Sequence, residues 1–376
     1  MQRAIVIVMD GCGAGEAPDS TAFNDFDHPN TLKHVWTSCG GLNTPFLTDA
    51  GLWAVANVED AMPSGKIGAH YGRLQERSQG KDSVTGHWEM MGIVTEVPFP
   101  TYPHGFPSEL IEAFEARAKL KVLGNKPASG TEIIEELGPE HERTGRPIVY
   151  TSADSVFQIA AHELVIPVNR LYELCQIARE ICMLPNNLER IIARPFVGKA
   201  GAYNRTGNRR DFPLDPPRNF IDDFSEQFGP VYGIGVVPEL FNHRGFLSVV
   251  RSRNNAEHRQ ELLRALDSDR PFIFANFEDF DMLYGHRNNP TGFGHALEEL
   301  DQFLLKLWNM LGQHDLVILT ADHGNDPTSK STDHSREYVP FCCLSRGFQL
   351  KCIGDIVGMA QISVAVKQWL GMTTSV

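Results

Sequence analysis

The chain carries no C-x-x-C pair, and its seven cysteines are an odd number with one adjacent pair, Cys342-Cys343. That usage excludes a disulfide framework and fits reduced, mostly buried thiols in a cytoplasm. No apolar run reaches the roughly 18 residues that a membrane span needs. The first such run, Ala4 to Met9, is cut by Asp10, too soon for a signal-peptide core. Cations are scarce beside anions, 34 Lys and Arg against 47 Asp and Glu, and the formal charge is −13. That balance argues against nonspecific binding to nucleic acid or to anionic lipid. Internal repeats and low-complexity tracts are missing too, which removes solenoids and disordered scaffolds. A soluble cytoplasmic protein is expected, with no nucleic-acid or membrane partner.

What is present is ordinary in bulk and specific in detail. Apolar and charged fractions of 42% and 22% over 376 residues suit a globular protein with a sizeable core and two domains. Three apolar runs stand out: Ala4 to Met9, Pro271 to Phe277 and Leu316 to Leu319. Runs of this kind read as buried strands of a parallel sheet. Each stops at acidic residues: Asp10, then Glu278-Asp279-Phe280-Asp281, then Asp322-His323. Between the second and third runs, Leu297, Leu300, Phe303, Leu304, Leu307 and Leu311 recur at helical spacing. Strand, helix, strand is a crossover unit, so these two runs are expected to be parallel neighbours. All three strands then deliver their polar residues to the carboxyl edge, where open α/β sheets bind ligands.

The stretch from about 97 to 217 reads as an inserted cap. It is rich in Pro and Gly, and the acidic and imidazole cluster lies outside it. Ser129-Gly130-Thr131-Glu132 has the form of a capping box opening a short helix, Ile133 to Leu137. Pro147 to Thr151, Glu163 to Val168 and Arg190 to Ala193 are strand-like. Leu171, Leu174, Cys175, Ala178 and Cys182 form a helical stripe. The domains expected are therefore a core of 1–96 with 218–376, and a cap of 97–217.

The candidate metal ligands are Asp10, Asp281, His286, Asp322, His323 and His334. Adjacent Asp and His resist burial unless something pairs them, and a divalent cation does so. Six such groups serve two ions better than one. Carboxylate with imidazole suits Mn²⁺, Zn²⁺ or Fe²⁺, and the absence of Cys excludes a thiolate zinc site. A lone Asp after a strand is usually a turn former or helix cap, but here several independent strand ends converge. Asp326 and Asp333 read as turn residues. In Gly80-Lys81-Asp82-Ser83-Val84-Thr85-Gly86-His87-Trp88-Glu89, hydroxyls followed by Gly suit a turn that opens a helix and holds an anion. A hydroxyl beside two metals is readily deprotonated and can attack phosphorus. Gly11-Cys12-Gly13-Ala14-Gly15 imitates a dinucleotide fingerprint but has Glu16 in place of its third Gly, with Asp10 facing the pyrophosphate. A nicotinamide site is rejected.

These motifs resemble those of the phosphopentomutase family within the alkaline phosphatase superfamily, to which cofactor-independent phosphoglycerate mutases are related. The likeness runs through Gly80 to Glu89, Ala128 to Ile134, Tyr150 to Gln158, Ala193 to Phe196, Arg205 to Arg209, Asp279 to Arg287 and Thr320 to Glu337. It implies an α/β fold: an alkaline-phosphatase-like core with a mainly parallel sheet flanked by helices, plus an inserted smaller α/β cap. It implies two Mn²⁺ ions, one held by Asp10, Asp322 and His323, the other by Asp281, His286 and His334. Thr85 matches the family nucleophile, carried as phosphothreonine. Ser152, Asp154 and Arg194 match cap positions that contact the sugar or its distal phosphate. The activity implied is interconversion of α-D-ribose (or 2-deoxyribose) 1-phosphate and 5-phosphate through a sugar bisphosphate. Ribose 1,5-bisphosphate or glucose 1,6-bisphosphate would be the activator, and a monomer acting on a small-molecule sugar phosphate is expected. Three places depart: the family loop usually carries more Thr where Ser83 and Val84 stand, the first strand usually continues Asp-Ser rather than Asp10-Gly11, and Gly233-Ile234-Gly235-Val236 has Val236 where the family usually has Lys, with Arg244 or Lys199 as candidates to compensate. The missing Lys keeps a metal-dependent phosphatase, or a mutase for another sugar phosphate, as the alternative. Loss of turnover, leaving a sugar-phosphate sensor, is the reading outside enzymes.

Overall fold

The computed structural model describes residues 2–152, 155–183, 186–248 and 252–373. Two compact units divide the chain, Met1–Val97 with Pro216–Val376, and Pro98–Asp215. In chain order the strands are β1 (Arg3–Met9), β2 (Ala69–Gln75), β3 (Leu123–Pro127), β4 (Ile148–Thr151), β5 (Val156–His162), β6 (Arg190–Val197), β7 (Asn204–Arg205), β8 (Arg210–Pro213), β9 (Tyr232–Ile234), β10 (Phe272–Phe277), β11 (Asp315–Thr320), β12 (Val339–Leu344) and β13 (Lys351–Val357). Among the described residues no helix is long and apolar enough to cross a membrane.

The larger unit is built on a seven-stranded sheet of order β13-β2-β12-β11-β1-β10-β9. Only β12 opposes its neighbours; the remaining pairings are parallel. Ala4 to Met9 of β1 are wholly buried, because a central parallel strand is covered on both faces, and its sequence is accordingly an unbroken apolar run. Helix Pro290–Met310 joins β10 to β11. Its entry is set by Pro290 in the first turn and by the Asn289 side chain, which accepts from Gly292 N, as helix starts prefer. Phe293, Leu297, Leu300, Leu304 and Leu307 form its buried stripe.

The expected pairing of β10 with β11 does not form. β10 and β11 are parallel but not neighbours, since β1 lies between them with Val8 opposite both Asn276 and Thr320. The crossover spacing establishes direction and connection length, and a crossover can as well step over one strand. The three strands still end at one level, and that level is where the polar residues gather.

The smaller unit has a sheet of order β3-β4-β5-β6-β7, with β8 pairing with β6. Along β5, Phe157, Ile159 and Ala161 pack with Phe114, Leu171 and Leu174. Ala160 joins Ile133, Ile134 and Phe196 in a second cluster. Alternate side chains thus enter two cores, one on each face of the sheet. Glu163 to Val168 is not the strand. The strand is β5 just before it, and Val168 begins helix Val168–Ile181 behind Pro167. Nor does Ser129 make a capping box. Its hydroxyl lies 3.0 Å from the Thr131 hydroxyl, and the helix runs on to Thr144 with Pro139 inside it.

Candidate metal centre

Each polar side chain of the site is delivered by a strand end. Asp10 follows β1, and Asp322 and His323 follow β11. Asp281 sits in a single π-helical turn, Phe280–Gly285, after β10, with His286 capping it. Such turns often mark functional sites, because they re-aim side chains that a regular helix would turn away. His334 comes from the loop before β12. Two groups of three result, Asp10 with Asp322 and His323, and Asp281 with His286 and His334. Within each, one ligand atom per residue lies within 4.8 Å of the others.

In the first group His323 Nε2 is 3.5 Å from Asp10 Oδ1 and 3.3 Å from Asp322 Oδ2. In the second, Asp281 lies 3.0 Å from His286 Nε2 and 3.5 Å from His334 Nε2, and the two Nε2 atoms are 3.2 Å apart. The His323 and His334 rings stack at 3.8 Å between centroids, so the groups adjoin. All three imidazoles are aimed in the same manner. Nδ1 of His286, His323 and His334 faces the carbonyl of Thr332, Gly324 and Lys81 respectively, at 2.6, 3.1 and 2.8 Å. Donation there turns Nε2 into the group, where in the neutral imidazole it carries the lone pair that metal-bound histidines offer.

The donors fit cations on two further counts. Asp10 Oδ1 and Asp322 Oδ2 are buried and have no hydrogen-bond partner, and an unpaired buried carboxylate oxygen costs several kcal/mol, on the order of an uncompensated ion. Burial, and then the Asp322 and Asp281 carboxylates, push the Asp10 carboxyl well above the usual range. A positive charge at the group removes that conflict. Burial opposes ionisation of Asp281 as well, but hydrogen bonds from His286 and His334 hold it well below the usual range. For His334, burial pulls downward and Asp281 outweighs it, leaving the imidazole pushed up to about 9.

Several residues that sequence reasoning passed over complete the site. Asn276 Nδ2 donates to Asp10 Oδ2 at 2.6 Å, and Asn325 Nδ2 to Asp281 Oδ1 at 2.6 Å. Asn276 was signalled by being the one polar residue inside an apolar strand. Glu337, wholly buried, accepts from Gly15 N, Thr31 N, Thr31 Oγ1 and Ser335 Oγ. A side chain at Gly13 would put Cβ 2.3 Å from Glu337 Oε2, and Gly11 has φ +72°. The glycines after β1 therefore serve carboxylate packing rather than a pyrophosphate. Asp326 pairs with His34 and Thr328.

Helix Ser83–Met90 starts against this cluster. Asp82 caps it, accepting from Thr85 N at 2.9 Å, while the Thr85 hydroxyl reaches back to the Asp82 backbone. Thr85 is fully buried. Gly86 abuts Asp322 so closely that a Cβ would lie 2.3 Å from its carbonyl oxygen. The hydroxyl seen in contact with a candidate ligand is that of Ser83, 3.1 Å from His323 Nε2.

The remaining sequence candidates lie on the smaller unit. Arg194 Nε donates to Gln158 Oε1 at 3.0 Å. Burial, then Arg209 and Arg205, draw the Arg194 guanidinium below its usual range, so three guanidinium groups share one neighbourhood. The buried Tyr150 hydroxyl belongs to it too, with Arg194 close enough to offset part of the burial that raises it. Ser152 is half-buried just past β4, and Asp154 lies outside the described residues. In the larger unit Val236 N donates to Glu278 Oε1. Arg244 is engaged with Asp222 through Nε and Nη2, at 2.6 and 2.8 Å.

Comparison with known proteins follows the same lines. Residues 236–367 match the family model of the metalloenzyme superfamily. A protein of Dictyoglomus thermophilum named phosphopentomutase is 50% identical over 351 residues, covering 93% of this chain and 89% of the relative. One of Clostridium kluyveri with that name is 48% identical, covering 95% and 91%, and one of Anaeromyxobacter sp. is 45% identical, covering 100% and 97%. Among solved structures, the PH0037 protein of Pyrococcus horikoshii aligns with a TM-score of 0.52 at 17% identity, covering 100% of this chain and 99% of that one. Phosphoglycerate mutase of Leishmania mexicana aligns with a TM-score of 0.50 at 13% identity, covering 100% and 96%. At such identities the last two are similar in fold alone.

Proposed function

The chain belongs to the phosphopentomutase family, metal-dependent isomerases, and we propose that it moves phosphate between the 1- and 5-hydroxyls of ribose or 2-deoxyribose. In this reading Thr85 carries a phosphoryl group, loaded from ribose 1,5-bisphosphate or glucose 1,6-bisphosphate. The free hydroxyl of a sugar monophosphate takes that group: its O–H bond and the Thr85 O–P bond break, a new O–P bond forms, and the proton passes to the threonine oxygen. The resulting sugar bisphosphate turns end for end and returns its other phosphate to Thr85.

Asp10, Asp322 and His323 would hold one divalent ion, and Asp281, His286 and His334 a second, with Mn²⁺ suited to these donors. Such ions supply positive charge to the oxygens around the transferring phosphorus and ease loss of hydroxyl protons. The chain's own residues do the positioning. Backbone carbonyls orient the three imidazoles, Asn276 and Asn325 hold Asp10 and Asp281, and Asp82 fixes the helix start that carries Thr85. Arg194, with Arg205 and Arg209 beside it, suits the substrate's other phosphate through charge and planar donor geometry, with Ser152 and Asp154 assigned to the sugar. Seven free thiols, none in a disulfide among the described residues, accord with a cytoplasmic enzyme, here taken as a monomer acting on small molecules.

The observation that carries this reading is the orphaned Asp10 Oδ1 and Asp322 Oδ2 beside the helix start that bears Ser83 and Thr85. The test is incubation with ribose 1-phosphate, Mn²⁺ and a bisphosphate primer. Ribose 5-phosphate is the expected product, and Thr85→Ala should abolish it while leaving bound metal unchanged. Free phosphate without ribose 5-phosphate would assign a phosphatase or a mutase of another sugar phosphate instead. Sugar-phosphate binding with no phosphate gained by mass would assign a sensor.

A further inference from the structure

Behind the helix start lies a buried ion pair that the reaction above does not use. Arg336 is 1% exposed and Glu76 4% exposed. All five N–H donors of Arg336 are engaged. Nη1 donates to Glu76 Oε2 at 2.5 Å and to Gly80 O at 2.6 Å. Nη2 donates to Glu76 O at 2.8 Å and to Asp19 Oδ2 at 2.9 Å, and Nε to Asp19 Oδ1 at 3.2 Å. The guanidinium also lies 4.4 Å above the Phe23 ring.

Two of those bonds grip the backbone of the loop leading into helix Ser83–Met90, and that loop forms the floor under Thr85. A Cβ on Gly80 would stand 2.7 Å from both Thr85 Oγ1 and Thr85 Cγ2, so any shift of Gly80 moves the threonine side chain. Glu76 presents its other oxygen, Oε1, buried and without a hydrogen-bond partner of normal geometry, and the Thr85 hydroxyl is near enough to offset part of the burial that raises this carboxyl. The far end of the loop is tied to the same segment as Arg336. His334 Nδ1 rests on Lys81 O at 2.8 Å, and Asp25 joins the Arg336 backbone N–H to Lys81 Nζ at 2.6 and 3.0 Å.

We propose that Arg336 and Glu76 are positioning residues for phosphoryl transfer, a brace that holds the loop beneath Thr85 in register with the segment carrying His334. A buried ion pair is a weak source of stability, and replacing both partners by apolar residues of similar size is often neutral, whereas breaking it is costly. Its retention beside a reacting hydroxyl is accounted for by geometry, where a displacement of about 1 Å can cost roughly 10²-fold in rate. The inference rests on the reading that Thr85 accepts the phosphoryl group.

The test compares the wild-type chain, Arg336→Lys, and the double variant Glu76→Leu with Arg336→Met. Phosphoryl gain from glucose 1,6-bisphosphate in Mn²⁺ is followed by intact mass, with peptide mapping to Thr85, beside Tm, metal content and the dependence on bisphosphate concentration. The double variant leaves Asp19, Gly80 O and Glu76 O without their donor, so its Tm should fall by several degrees, yet it should keep its full metal content and gain phosphate about 10²-fold more slowly with a nearly unchanged half-saturating concentration. Arg336→Lys retains the charge opposite Glu76 but not the fork that reaches two carbonyls, so it should be slowed by roughly 10-fold or more. A double variant that phosphorylates at the wild-type rate would overturn the proposal. If the double variant does not fold, Arg336→Lys decides: a rate within about threefold of wild type overturns the proposal equally. A wild-type chain that gains no phosphate on Thr85 would instead remove the underlying reading.

Discussion

Gly86→Ala tests the contact on which the centre depends. Two effects oppose each other. Alanine is favoured over glycine inside a helix by about 1 kcal/mol, and Gly86 lies within Ser83–Met90 with no left-handed backbone requirement. Against that, the new Cβ would sit 2.3 Å from Asp322 O and 2.9 Å from its carbonyl carbon and Cβ. The closest atoms are backbone, so no rotamer change relieves them. Restoring an ordinary contact of at least 3.4 Å means moving the first helical turn away from Asp322 by about 1 Å. Overpacking of that size costs about 1–3 kcal/mol, which outweighs the helical gain. The moving turn carries Ser83 and Thr85, so kcat/KM for ribose phosphate interconversion should fall about 10²-fold, while Tm falls by only a few degrees. Steady-state kinetics, intact mass for phosphate on Thr85, and thermal melts would be run beside Gly347→Ala, whose added Cβ meets nothing within 4 Å. A Gly86→Ala enzyme within about threefold of wild type in kcat/KM would refute the argument.

Two further outcomes are expected. His334→Ala removes one imidazole of the second group, and metal analysis after dialysis should show about one ion per chain against an expected two for the wild type, because an ion that loses one of three protein ligands binds far more weakly. Unchanged stoichiometry would take His334 out of its assigned role. Asp301, buried on helix Pro290–Met310 and accepting from Leu47 N at 2.7 Å, has its carboxyl pushed up to about 6 from 3.8 by burial. The folded chain therefore holds this proton more tightly than the unfolded one, so stability falls as pH rises from about 4 through about 6 and stays reduced above that. The difference corresponds to at most about 3 kcal/mol, and losing one of the two backbone N–H bonds Asp301 accepts, from Leu47 and Phe46, returns about 1 kcal/mol of it. Asp301→Asn should thus melt higher than wild type at pH 8, with the gap closing near pH 4. Melting curves with a pH-independent gap would contradict the assignment.

Much of the centre could be read before any coordinates. Asp10, Asp281 and Asp322 each follow an apolar run that has to be a buried strand, and parallel strands end on a common edge. Their meeting therefore follows from polarity and periodicity alone. Strand neighbours were not readable in that way. β1 separates β10 from β11 because crossover length constrains direction without naming the strand that fills the gap. Local patterns also misled where tertiary contacts overrode them. Ser129 heads a formal capping motif yet bonds to Thr131, and the strand before Glu163 was hidden by the small and polar residues of β5.

Residue chemistry and spacing along one chain therefore account for which donors the protein possesses and which edge of the sheet receives them. The contact of Ser83 with His323 and the reach of Arg336 to Gly80 join residues 240 and 256 positions apart, and the first donor group joins Asp10 to Asp322 from near opposite ends of the chain. Such contacts depend on where packed backbones bring two side chains within a few ångströms. That distance is set by strand order, helix capping and the absence of a Cβ at Gly86 and Gly80, and no local pattern in the sequence encodes it.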